Sequence, residues 1–130
     1  MMLELSIHAP RQVRDSLELQ YAGSMERSLL DDLRLLTSEV VSNAVLHSGR
    51  PTGDPFTLVT SVIDDVLRVE VTDGGKGMLL LTPRTINPPS GLGLVQLLSD
   101  RWSSHQNDSF HVWFEIDVIS NAKVHRKSAA

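Results

Sequence analysis

Residues 28–47, SLLDDLRLLTSEVVSNAVLH, decide how the rest of the chain is read. Leu29, Leu33, Leu36, Val40 and Ala44 recur at spacings of three and four, with no Gly or Pro between them. That period predicts one long amphipathic helix with a single apolar stripe. Ser48-Gly49-Arg50-Pro51 ends it, with glycine just past the last turn and proline beyond. Outward from this helix, Met2 to Ile7 alternates and reads as a short strand, with Met1, Leu3, Leu5 and Ile7 on one parity. Pro10 to Gln20 reads as a helix begun by its proline and broken at Gly23-Ser24. Phe56 to Ile63 and Val66 to Asp73 are rich in β-branched residues and form a hairpin signal about Asp64-Asp65, a turn without the usual glycine. Gly74 to Ser90 is a loop, Gly91 to Ser99 a short helix, and Arg101 to His105 and Phe110 to Ile119 two further strands.

The order is therefore β-α-α-β-β-loop-α-β-β. Strands that follow one another, with helices segregated, predict an α+β two-layer sandwich: a mostly antiparallel, mixed sheet with helices on one face. The expected organisation is a single domain over 1–119 and a polar tail over 120–130. At 130 residues the chain can hide roughly two thirds of its extended surface, enough for one core. There is no cysteine, which excludes disulfide scaffolds, thiolate zinc sites and cysteine nucleophiles. A net charge of −4 argues against a general nucleic-acid binder. No apolar run approaches the roughly 20 residues that span a bilayer, and the first ten residues do not resemble a secretory signal, so a cytoplasmic location is expected.

Three groups of residues are candidates for chemistry. Glu39, Asn43 and His47 lie at i, i+4 and i+8 and form one polar ridge beside the apolar stripe. A carboxylate and a carboxamide so placed suit a hard cation such as Mg²⁺, or a base beside it; by spacing alone, a solvated helix side is the simpler reading. Asp73 continues the parity of Leu67, Val69 and Val71 and so points to the core side at a strand end. It needs a donor there, either a ligand amine or the N–H groups of the turn that follows. Gly74, Gly75 and Gly77 follow Asp73, and Gly91 and Gly93 open the next helix, where free N–H groups favour phosphate. Neither cluster fits G-x-G-x-x-G or the P-loop pattern. Each group is weak alone; their order within one small domain is the stronger signal.

With these residues in view, a resemblance can be stated. Glu39 to His47 (EVVSNAVLH) resembles the N box of the GHKL ATPases, Asp73-Gly74-Gly75-Lys76-Gly77 their D-x-G-x-G box, and Gly91-Leu92-Gly93-Leu94 their G-x-G-L box. Within that superfamily, Ser38 to Gly49, Gly91 to Trp102 and Val112-Trp113-Phe114 are similar to the anti-sigma-factor serine/threonine kinases, a histidine-kinase-like branch. The likeness runs over about residues 5–119 and implies the Bergerat ATP-binding fold. It also implies ATP and Mg²⁺ as cofactors, with Asn43 on the metal and Glu39 as general base or as the group positioning the nucleophile. Asp73 would accept from the adenine amine. Gly75 and Gly77 would allow close backbone approach, and Gly91, Leu92, Gly93 and Leu94 would lie at the phosphates. Met78 to Ser90 would form the lid.

The implied activity is phosphoryl transfer to a serine or threonine of a STAS-type anti-anti-sigma protein, with a sigma factor as the second partner. A non-catalytic ATP-binding module of the same fold is the alternative, and a ligand-free interaction domain a third. Relatives dimerise; Leu3, Leu5 and Ile7 are candidates for such a contact, with a core role as the other reading. One departure is visible: Phe110 and His111 stand where relatives usually carry Lys-Thr. The whole reading requires the long helix's ridge to face Asp73 across one pocket.

Overall fold

The sheet takes its shape from two hairpins and one crossover. In the computed structural model, residues 1–74 and 91–118 are described; the side chains of His47, Gly91 and Leu92 are not. The elements are β1 (Met2–Glu4), α1 (Ala9–Tyr21), α2 (Arg27–His47), β2 (Pro55–Ile63), β3 (Val66–Asp73), α3 (Gly91–Leu98), β4 (Arg101–Gln106) and β5 (Phe110–Asp117). The five strands order as β1-β2-β3-β5-β4, and each neighbouring pair is antiparallel. A mixed sheet is expected from the sequence; among the described strands no parallel pair occurs. The reason is that α3 carries the chain to the far edge, and the β4–β5 hairpin then folds back beside β3.

Alternation along β3 and β5 is strict. Leu67, Val69, Val71 and Asp73 of β3, and Phe110, Val112, Phe114 and Ile116 of β5, are buried towards the helices. The residues between them face outward. Against this side pack Val13 and Leu17 of α1 and Leu30, Leu33, Leu36 and Val41 of α2, all fully buried. α2 packs against α1, α3 and β3, so three elements cover it and its apolar stripe is wide. The α1–α2 pair is also tied at its surface: Arg27 reaches both carboxylate oxygens of Glu18, at 2.8 and 2.7 Å, and Arg34 lies 3.1 Å from the same group. Arg27 holds the Glu18 carboxyl below the usual carboxylate range.

The β2–β3 turn at Asp64-Asp65 works without glycine because both residues adopt positive φ, 53° and 61°. Two consecutive left-handed residues form the hairpin turn whose twist matches the strands, and Asp tolerates that region better than most residues. At the end of α2, Ser48 N–H donates to the Ala44 carbonyl, and Gly49 takes φ +73°. Glycine is required there by the left-handed C-terminal stop. Several element ends move by one to three residues from the sequence expectation, and two of the changes bear on packing. β1 ends at Glu4 instead of Ile7: Leu5 is buried but Ile7 is 84% exposed, because the chain turns at Ser6 to enter α1. α1 reaches one residue beyond Gln20, to Tyr21, whose hydroxyl pairs with Thr60 Oγ1 at 2.8 Å. The expected loop at 75–90, the lid at Met78 to Ser90, and the tail at 120–130 lie outside the described residues.

Candidate nucleotide site

α2 and the end of β3 meet on the helix-covered side of the sheet. Asn43 is 6% exposed and Asp73 4%. Val40 and Ala44, which flank Asn43 along the helix, border one small void together with Val71, Asp73, Phe110 and Val112. The two α2 residues that flank Asn43 and the strand-ending carboxylate therefore border one void. Glu39, one turn before Asn43, is half-buried, and its carboxylate has no hydrogen bond or ion pair among the described residues. Asn43 Nδ2 is buried without a hydrogen-bond partner among the described residues. An orphan donor of this kind costs about 1–3 kcal/mol unless something completes it. A phosphate oxygen beside α2 is the natural acceptor for this donor, while a cation on such phosphates would need the Oδ1 of the amide or the Glu39 carboxylate.

The other end is built differently. Strand register places Leu3, Phe56, Asp73, Phe110 and Gln106 in one row across the five strands, from β1 to β4. Asp73 thus has an aromatic residue on each side, and both rings are buried. The void between this row and α2 measures about 10 Å³, room for about one water molecule. No aromatic base fits there without movement. Phe110, one of the two residues at the Lys-Thr positions, is the bulkiest described residue bordering this void. His111, the other, points to the opposite face, where its Nδ1 pairs with Thr72 Oγ1 at 3.0 Å and its ring stacks on His105 at 4.3 Å. Phe110's direction was available from parity with Val112, Phe114 and Ile116. Its pairing with Asp73 was not, since that depends on the register of two strands 37 residues apart.

A more open cleft of about 270 Å³ adjoins the same strand ends, lined in part by Arg50, Asp54, Phe56, Asp73, Gly74 and Ser109. Arg50 Nε bonds Asp54 at 2.7 Å and lies 3.8 Å from where a Gly74 side chain would begin. Gly93 is buried and Leu94 packs against the core at the start of α3, which rests on α2. Gly91 and Leu92 belong to α3, but their side chains are not described; Gly75, Gly77 and Met78 lie outside the described residues. Larger clefts exist elsewhere, of about 450 Å³ near Ser61, Ile63 and Arg101 and about 430 Å³ near Tyr21, Met25 and Val118. Neither includes Glu39, Asn43 or Asp73, so size does not mark the chemistry here. No helix among the described residues is long and apolar enough to cross a membrane.

No family model and no curated protein matches the chain. Solved structures do. The structure of the RsbU and RsbW domains of Rv1364c from Mycobacterium tuberculosis superposes with a TM-score of 0.67 at 20% identity, covering 91% of this chain and 32% of that one. A blue-light activated histidine kinase, EL346 of Erythrobacter litoralis, gives 0.57 at 22% identity, with 92% and 47% covered. The histidine kinase AdeS of Acinetobacter baumannii gives 0.54 at 12%, with 91% and 68% covered. The chain thus spans about a third and about half of the first two. The likeness is one of fold: this chain folds as the superposed parts of these three structures do.

Proposed function

We propose that this chain binds ATP with Mg²⁺ and acts as a serine/threonine kinase of the anti-sigma type. Its acceptor would be a STAS-type anti-anti-sigma protein, with a sigma factor as its second partner. The observation that carries this reading is the meeting of α2 and β3 at one void, bordered by Val40, Ala44 and Asp73, with a half-buried carboxylate (Glu39) and a buried amide with an orphan donor (Asn43) next to those residues along the helix. The kinase-like fold of the structural neighbours supports it.

In this reading the protein contributes position and charge, not covalent chemistry. Asn43 would hold the cation, which supplies neutralisation of the phosphates when bound. Asp73 would accept a hydrogen bond from the base amine. Glu39, with no competing partner among the described residues, would orient the acceptor hydroxyl and take its proton. Gly75, Gly77 and Met78 would approach the nucleotide, and Gly91, Leu92, Gly93 and Leu94 would lie by the phosphates at the start of α3, since a helix N-terminus favours negative charge.

The test is ligand-induced stabilisation followed by transfer. MgATP is expected to raise the melting temperature of the wild type, and Asn43→Ala to remove the effect. A variant that shifts as far as wild type would take the cation away from Asn43. Glu39→Ala is expected to keep the shift and to lose transfer of labelled γ-phosphate to an anti-anti-sigma protein; unchanged turnover removes Glu39 from the mechanism. A second reading, a binding module without transfer, is favoured by one specific observation. Phe110 borders the void beside Asp73 and His111 is bonded to Thr72 on the other face, so neither supplies the polar side chain that relatives usually carry at these positions.

A further inference from the structure

We propose that Phe110 is the specificity-determining gate of the base seat: its ring occupies the space between α2 and Asp73, and an aromatic base enters only when the ring swings out. The proposal rests on the nucleotide reading above and concerns a residue that reading does not use. Three observations carry it. Phe110 is 4% exposed and pairs in register with Asp73 on the same face of the sheet. The void it closes is about 10 Å³, whereas small-molecule sites run to roughly 300–1,000 Å³. Among the described residues the other apolar walls, Val40, Ala44, Val71 and Val112, belong to the interiors of α2, β3 and β5 and cannot yield without unpacking the core.

Phe110 differs from those walls in its place. It is the first residue of β5, directly after the Asn107–Ser109 turn. That turn is held by its own bonds, Asn107 N–H to the Ser109 carbonyl at 2.9 Å and Ser109 N–H to Asn107 Oδ1 at 2.8 Å. The open cleft of about 270 Å³ bordered by Ser109, Asp73 and Phe56 lies at the same strand ends and offers the displaced ring a place. On the far side of Phe110 in the row, Gln106 has a buried Oε1 with no partner among the described residues, a second acceptor close to the seat. The ligand class that suits the opened seat is a flat heteroaromatic ring with an exocyclic amine. Because only the ring-out conformer binds, the apparent affinity is reduced by that conformer's fractional population.

Calorimetric titration of wild type, Phe110→Leu and Phe110→Ala with adenosine, and in parallel with Mg²⁺-tripolyphosphate, tests this. Adenosine is expected to bind the alanine variant on the order of tenfold more tightly than wild type, with leucine between them, and tripolyphosphate affinity unchanged. Should the alanine variant not fold, the leucine variant decides. Adenosine affinity in a folded variant that equals or falls below that of wild type overturns the gate and leaves nucleotide binding standing. Equal gains for adenosine and tripolyphosphate mean general loosening and also overturn it. If none of the three proteins binds either ligand or MgATP, the nucleotide reading fails together with the gate.

Discussion

The two faces of the sheet use the same strands for opposite purposes. On the helix side, β3 and β5 present Leu67, Val69, Val71, Val112, Phe114 and Ile116, and the single carboxylate Asp73 at the end. On the open side, the intervening residues form a charged ladder. Arg68 bonds Glu115 at 3.0 Å and Glu70 at 3.3 Å while its guanidinium lies 4.3 Å over the Trp113 ring. Arg101 bonds Glu115 at 2.8 Å and also engages Asp117. Each of those three carboxylates has an arginine beside it. The contrast teaches that burial, not the count of charges, separates a structural carboxylate from a candidate functional one. Surface ion pairs are worth little, while the Asp73 carboxyl, at 4% exposure, sits where charge is costly and its surroundings matter most.

The sharpest way to break this contrast is to truncate two adjacent residues of β5 that point to opposite faces. Phe114→Ala is expected to lose about 3–5 kcal/mol by leaving a cavity in the core, and Trp113→Ala only about 1 kcal/mol from its contact with Arg68. Chemical denaturation of both variants checks it, and similar losses would mean that the open face is covered in the folded protein. A smaller effect of opposite sign is expected at Thr37, which is fully buried in α2 with Oγ1 unpartnered among the described residues. Thr37→Val keeps the β-branched shape and removes the orphan hydroxyl, and should stabilise by about 1 kcal/mol.

The smallest effect belongs to the ladder. Arg101 holds the Glu115 and Asp117 carboxyls below the usual carboxylate range, with Arg68 adding to the effect at Glu115. Groups whose folded pKa is depressed add stability above their unfolded pKa and lose it as pH falls through the folded value. Arg101→Ala should therefore melt slightly below wild type at pH 7 in low salt. That difference should hold to about pH 5 and shrink below about pH 4. Added salt should shrink it as well. A difference that grows in acid would contradict the assignment.

Much of this architecture is legible in the residues themselves. The three-and-four spacing of Leu29 to Ala44 gives α2, and the alternation of Leu67 to Asp73 gives both β3 and the inward direction of Asp73. What is not legible depends on neighbours distant in the chain. Ile7 keeps the parity of Leu5 yet is exposed, because the turn at Ser6 ends the strand and no local pattern announces it. Thr37 reads as a polar position, but three elements pack on α2 and enclose it. Phe110 reads as the replacement of a lysine or threonine; only cross-strand register reveals it as the partner of Asp73, with Phe56 on the other side.

The Asp64-Asp65 turn has a reach that its position conceals. From Ile63↔Val66 to Phe56↔Asp73 the hairpin runs through eight unbroken pairs, a span of roughly 23 Å at the usual rise per residue. Orientation alternates with every step, so adding or deleting one residue in that two-residue link would rotate the far end of β3 by half a turn. Thr72 or Gly74 would then look towards the helices, and the carboxylate would be handed to water. Two aspartates at the opposite end of the molecule thus act as the remote ruler that decides what the pocket contains.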